Sequence, residues 1–195
     1  MSKAEQTRQF IVEKTAPIFN TKGYAGTSLS DMTEATGLTK GSIYGNFANK
    51  DEVALAAFDH NLKKVETLIR QEMSKVKSIR SKLLVYANVY SEHFKSYFPV
   101  GGCPILNTAI EADDTHPLLK KKAAEAINSW KTKIVSLIEE GIEQKEFKPV
   151  NDAEQIALTI IAMIEGATMI AHLTGKQAYR KSIMLSVEST IKTIK

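Results

Sequence analysis

The sequence predicts an all-α protein of about nine helices, with an N-terminal three-helix domain and a larger C-terminal helical domain. Apolar residues recur at helical spacing along most of the chain, and no segment requires a strand. Capping residues, glycines and prolines separate these segments where helices begin and end. The chain has 195 residues, 43% of them hydrophobic and 25% charged, so it is long and apolar enough for a packed core.

The N-terminal region predicts one helix followed by a pair of short helices. The first spans residues 3–21, and Gly23 ends it. Ser28 can cap the second, and Asp31, three residues on, completes a capping box. Gly37 then provides a left-handed turn, and Thr39 can cap a third helix that runs to about Asn46. Helix, glycine turn and helix is the geometry that places a second helix in the DNA major groove.

The third helix carries chemistry suited to this role. Gly41 and Gly45 let it approach DNA closely, although each glycine costs a helix about 1 kcal/mol relative to alanine. Lys50 and the first amides of the next helix could hold a phosphate. The predicted DNA-binding residues are Thr27, Ser28, Thr39, Lys40, Gly41, Ser42, Tyr44, Asn46 and Lys50. The alternative is a solvated helical hairpin. Lys3 and Arg8 are expected to be surface charges, with phosphate contact as their alternative.

Several strings in this region resemble the TetR family of bacterial regulators. They are KGY at 22–24, TS at 27–28, GLTKGSIY at 37–44, Phe47, and NKDE at 49–52. The resemblance covers the N-terminal quarter of the chain. It implies a helical homodimer with a DNA-binding domain, here residues 1–50, and a ligand-binding and dimerisation domain, here residues 51–195. Gly45 departs from the family, which often has a bulky residue there.

The remaining chain predicts six further helices, most of them long. Asn49 with Glu52, and Asn151 with Glu154, have the spacing of N-caps and their return partners. The helices are expected at 50–73, 78–97, 104–113, 117–146, 152–173 and from 176 onward. The last two are rich in Ala, Ile, Met and Leu. They are the predicted dimerisation pair, forming a four-helix bundle with their symmetry mates.

A ligand cavity is expected in the C-terminal domain. The string GCPILNTAIE at 102–111 resembles one branch of the family, in which this segment borders the cavity and repressors respond to electrophiles through a cysteine. The predicted lining is Tyr90, Phe94, Tyr97, Cys103, Asn107, Trp130, Ile134, Met169 and His172. The alternative for each is an ordinary core position. Cys103 lies at a predicted helix N-terminus, where a thiolate is stabilised; its alternative is a small packed residue.

Composition limits the other classes of function. A net charge of +4 suits a nucleic-acid partner, and a single cysteine fits a reducing cytoplasm. The N-terminus is too charged for a signal peptide. The apolar segment 156–173 barely reaches the length of a membrane span and contains Glu165, so an interface helix is expected and no membrane partner.

The sequence therefore predicts a ligand-responsive homodimeric repressor, released from a palindromic operator by a small apolar or electrophilic effector. No cofactor, metal site or catalytic residue is predicted, because the four histidines form no close pair and there is no phosphate loop or nucleophile elbow. Two alternatives stay open: a helical adaptor that no longer binds DNA, and a cysteine-dependent enzyme based on Cys103.

Overall fold

A computed structural model describes residues 2–91 and 98–194 and confirms the all-α prediction: these ranges hold nine helices and no strand. The helices are α1 (Lys3–Gly26), α2 (Leu29–Thr36), α3 (Lys40–Tyr44), α4 (Lys50–Met73), α5 (Ile79–Ser91), α6 (Pro104–Ala112), α7 (Pro117–Glu143), α8 (Ala153–Thr174) and α9 (Gln177–Thr193).

Several predicted helix ends are displaced. α1 does not stop at Gly23; that residue breaks it with a φ of 72°, and helical structure resumes up to Gly26. α3 ends at Tyr44, two residues earlier than predicted, and α7 ends at Glu143, three residues earlier. The predicted end of α5, residues 92–97, lies outside the described residues.

Two of the predicted capping interactions have different partners. Asp152 caps α8 in place of Asn151, because its carboxylate accepts from the Gln155 amide at 2.8 Å. Asn49 does cap α4, accepting from the Glu52 amide at 2.9 Å. The Glu52 carboxylate, however, accepts from the N–H of Ala48 at 2.7 Å and not from Asn49.

The chain divides into two compact units. The first contains the residues up to 65 together with 99–124, and the second contains 66–98 and 125–195. The division into a DNA-binding domain of residues 1–50 and a ligand-binding domain of residues 51–195 stays a prediction. The part of α4 up to residue 65 and the whole of α6 therefore belong with the helix–turn–helix in one compact unit.

In the second unit α9 packs against both α8 and α5. Among the described helices, α8 alone is long and apolar enough to cross a bilayer by length and composition. Its inner face is buried, including Ile160, Ile164 and Ala171, as expected of a core helix.

Arg80 joins the start of α5 to the end of α9. Its guanidinium donates to the carbonyls of Ile191 and Ile194 at 2.8 and 2.7 Å and lies 4.8 Å from the Phe147 ring centroid. The Glu146 carboxylate accepts from the amides of Ile79 and Arg80 at 2.7 and 2.8 Å, so the first turn of α5 is capped from outside.

Replacing Arg80 by methionine is expected to lower the free energy of unfolding by about 2 kcal/mol, because two hydrogen bonds from a charged donor are lost while the alkyl packing remains. Urea unfolding at fixed protein concentration measures this. Lys77→Met is the matched control, since it removes the same charge from an exposed position. Equal stabilities of the two variants would show that Arg80 does not hold α9.

Candidate nucleic-acid interface

Helices α2 and α3 form a capped helix–turn–helix, as the sequence predicts. Ser28 Oγ accepts from the Asp31 amide at 3.1 Å, and the Asp31 carboxylate accepts from the Ser28 amide at 2.8 Å, which completes the capping box. Gly37 is left-handed, with φ 67°, and ends α2. Thr39 Oγ1 accepts from the Ser42 amide at 3.2 Å and starts α3.

The inner faces of these helices are closed by apolar side chains. Met32, Ile43 and Phe47 are buried. Thr36 is also buried, and its hydroxyl donates to the Met32 carbonyl at 2.7 Å, so a polar side chain is accommodated without loss of a hydrogen bond. The apolar anchoring leaves the opposite face of α3 turned outward.

That outward face carries the predicted recognition residues. Lys40 and Gly41 are exposed, and Ser42 and Tyr44 are partly exposed. Beyond its chain neighbours and the backbone of its own helix, a Cβ added at Gly41 would find a single atom within 4 Å, Thr39 Oγ1 at 3.9 Å. The fold therefore does not require glycine at position 41. Close approach of another molecule to this face of the helix would require it.

Besides the capping residues Ser28 and Thr39, two more residues of the predicted set have structural roles. Thr27 is 1% exposed, and its hydroxyl donates to the Gly23 carbonyl at 2.6 Å. The Asn46 side-chain amide donates to the Ser42 carbonyl at 2.8 Å and closes the end of α3. In this conformation the Thr27 side chain is not presented at the surface. The contacts of the whole set with DNA stay a prediction.

Arg8 holds α1 to the start of α4. Its guanidinium donates to the Asn46 carbonyl and to the Glu52 carboxylate, the latter at 2.5 Å, and it lies 3.9 Å from the Phe47 ring centroid. The hydrogen bond from the Ala48 amide lowers the pKa of the Glu52 carboxyl most, and the hydrogen bond from Arg8 lowers it further. Sequence reasoning missed this clamp, because a lone arginine in a surface helix gives no indication of a partner 44 residues away.

Lys50 extends beside Tyr24 at the start of α4. Its Nζ lies 4.4 Å from the Tyr24 ring centroid, an arrangement that favours the cation electrostatically. The Tyr24 hydroxyl donates to Asp51, which raises the pKa of Tyr24 to about 12. The Lys50 side chain is partly exposed, so its charge is available at the surface.

The predicted ligand pocket is only partly assembled among the described residues. In the second unit the Trp130 ring stacks on Tyr90, with centroids 5.5 Å apart, and tilts against Tyr86 at 5.9 Å. Tyr90 meets Phe98 edge-on at 4.8 Å. Tyr86 and Phe98 are not among the predicted lining residues. The i, i+4 spacing of Tyr86 and Tyr90 on one helix was the signal that could have indicated Tyr86.

The other predicted lining residues are placed differently. Ile134 is fully buried in the second unit, whereas Met169 is 44% exposed and His172 is also exposed. Cys103 and Asn107 belong to the first unit. Phe94 and Tyr97 lie outside the described residues. The pocket as a whole stays a prediction.

Cys103 stands at the N-cap of α6 and is 1% exposed. Asn107, one turn further, is a structural residue: its amide donates to the carbonyls of Asn20 and Gly101, each at 2.9 Å. Burial of the thiol restricts the access that a reactive sensor needs.

The described residues thus form a capped helix–turn–helix within an all-α fold, and its second helix contains a glycine and faces outward. These features define a DNA-binding protein of the helix–turn–helix class. Comparison with known proteins gives the family. Residues 11–57 match the family model "Bacterial regulatory proteins, tetR family", and residues 80–187 match "Tetracyclin repressor-like, C-terminal domain". The chain belongs to the TetR family of transcriptional regulators.

Two solved structures and one relative named as a repressor agree with this assignment. A TetR-family regulator from Cytophaga hutchinsonii is 52% identical, with a TM-score of 0.97 over 100% of this chain and 98% of that one. One from Chloroflexus aurantiacus is 38% identical, with a TM-score of 0.93 over 99% and 98%. The transcriptional repressor DhaR of a Mycobacterium species is 26% identical over 165 residues, 83% of this chain and 80% of its own.

Proposed function

We propose that this TetR-family regulator is a cytoplasmic repressor that reads a palindromic operator with α3 and leaves it when a small, largely apolar effector binds. The observation that carries the DNA-reading part is the free surface of α3, where Gly41 has open space and Lys40, Ser42 and Tyr44 offer hydrogen-bonding groups. Repression is supported by the function of the relative DhaR. The protein acts by binding, with no catalytic role.

Within this proposal Lys50 contacts a backbone phosphate. Lys50 is partly exposed and stands at the first position of α4, where the helix dipole favours an anion. A phosphate contact contributes the same free energy on every DNA sequence, because it carries no information about the bases.

Lys50→Ala is expected to weaken operator and random duplex alike and to flatten the salt dependence of binding by about one unit. Fluorescence anisotropy titrations at several salt concentrations measure the slope. Lys64→Ala, at an exposed site further along α4, is the control for the loss of one charge. An unchanged slope would remove Lys50 from the phosphate contacts.

Homodimerisation is assigned to α8 and α9. Exposed residues on α8 form one apolar stripe that the described part of the subunit leaves uncovered: Leu158, Ala162, Met169 and Leu173. α9 adds Leu185, which is 64% exposed. Uncovered apolar stripes on neighbouring helices are what a four-helix interface buries.

The effector site is assigned to the aromatic cluster of Tyr86, Tyr90, Phe98 and Trp130 in the second unit. Trp130 Nε1 is buried and, among the described residues, has no hydrogen-bond partner. Stacked rings with one such donor suit an apolar ligand that carries a single acceptor atom. The burial of Cys103 supports a non-covalent effector over an electrophile.

Cys103 is therefore expected not to mediate release from DNA. In a gel-shift titration with 1,4-benzoquinone, wild type and Cys103→Ala should stay bound to the operator up to the same benzoquinone concentration. The reason is that the buried thiol is inaccessible to the reagent. Release of wild type alone would make Cys103 the sensor and the effector an electrophile. A duplex enriched by the wild-type protein from a randomised library serves as the operator.

A further inference from the structure

The polar side chains of α6 bind the backbone of α1 at two places within the first unit. At its start, the Asn107 amide donates to the carbonyls of Asn20 and Gly101, each at 2.9 Å. The Asn20 amide donates in turn to the carbonyls of Val100 and Gly102, at 2.7 and 3.0 Å. These reciprocal bonds fix where α6 begins relative to α1.

At the other end of α6, the Glu111 carboxylate binds the backbone of α1 just after the break at Gly23. Its two oxygens accept from the amides of Tyr24 and Ala25, at 2.6 and 2.7 Å. These amides follow Gly23, whose φ of 72° interrupts the helical hydrogen bonding, so they need acceptors from elsewhere. A carboxylate that accepts from two backbone amides makes short, charge-assisted bonds, which are the strong ones.

The fit between Glu111 and the break is close. A Cβ at Gly23 would overlap the Glu111 carboxylate, so this approach requires glycine. The adjacent cavity, lined among others by Phe19, Tyr24 and Thr108, has a volume of about 20 Å³. That is room for about one water molecule. α6 therefore has little freedom to slide along α1 while the two bonds persist.

The break at Gly23 sets the direction in which the chain enters the helix–turn–helix. The Thr27 hydroxyl is tied to the Gly23 carbonyl, and the next residue, Ser28, caps α2. We propose that Glu111, although it lies outside the helix–turn–helix, is a positioning residue for operator recognition, because its carboxylate fixes the bend from which α2 and α3 are oriented. It touches no DNA; it acts through the amides of Tyr24 and Ala25.

The test compares Glu111→Gln with Asp114→Asn. Both remove one negative charge from the same segment, but Asp114 is exposed, whereas Glu111 accepts from two amides of α1. Glutamine keeps the shape of the side chain and offers one acceptor oxygen in place of two. Anisotropy titrations on the selected operator and on a scrambled duplex give the specific and the non-specific affinity separately.

Glu111→Gln is expected to lose about tenfold in operator affinity relative to Asp114→Asn, with equal affinity for the scrambled duplex, since a misoriented head still meets phosphates. The split between the two affinities is a readout that a general loss of stability would not produce. Operator affinity equal to that of Asp114→Asn would overturn the proposal, and so would an equal loss on both duplexes. If Glu111→Gln does not fold, Glu111→Asp, which retains the charge with a shorter reach, is judged by the same criteria.

Discussion

Gly41→Leu is expected to reduce operator affinity at least about 100-fold, because base contacts are worth roughly 1–3 kcal/mol each and a leucine on the groove face of α3 holds the helix away from them. The fold should accept the change. Beyond the backbone of its own helix, a Cβ at position 41 meets a single atom within 4 Å, and leucine is a better helix former than glycine. Stability and operator affinity should therefore change in opposite directions.

Thermal unfolding and anisotropy titration on the selected operator measure the two effects. Ala124→Leu is the matched control, because it places the same side chain on an exposed helical position of α7. It should bind the operator as wild type does. If Gly41→Leu also binds the operator as wild type does, α3 does not lie in the groove and another surface of the protein reads the operator.

Gly166→Arg is expected to raise the dimer dissociation constant at least about 100-fold, because an unpaired charge would be buried in an apolar interface. Gly166 lies on α8 within the stripe formed by Leu158, Met169 and Leu173. Beyond the backbone of α8 itself, a Cβ there has no neighbour within 4 Å in the described part of the subunit. The subunit itself should therefore fold normally. Operator affinity should fall as well, since each released subunit reads only one half-site.

Sedimentation at a series of concentrations measures the dissociation constant, and circular dichroism checks the fold. Ala124→Arg, which adds the same charge outside the stripe, should remain dimeric. If Gly166→Arg sediments as wild type does, the symmetry mate does not cover this face of α8, and the four-helix arrangement is wrong.

The helix–turn–helix was predictable from sequence because its signals are local. Ser28, Asp31, Gly37 and Thr39 act within three or four residues of themselves, so their spacing predicts both caps and the turn. Where two capping residues are adjacent, as at Asn151 and Asp152, spacing cannot choose between them, and the structure selects Asp152.

Contacts distant in sequence were not predictable in this way. Glu111 meets Tyr24 across 87 residues, and no local pattern marks a carboxylate that will bind a remote backbone. The pocket prediction met the same limit. α8 is apolar on most of its faces, so its sequence does not indicate which face turns toward the core of the subunit. Met169 and His172, predicted to line the pocket, are exposed on the surface of the subunit.

The central claim, that α3 reads DNA in the major groove, is tested most directly by dimethyl sulfate footprinting on the selected operator. The reagent methylates guanine N7 in the major groove and adenine N3 in the minor groove. Wild type should protect guanine N7 in two clusters, about one helical turn or a multiple of it apart, and Gly41→Leu should protect neither. Protection confined to adenine N3, or unaffected by Gly41→Leu, would contradict the claim.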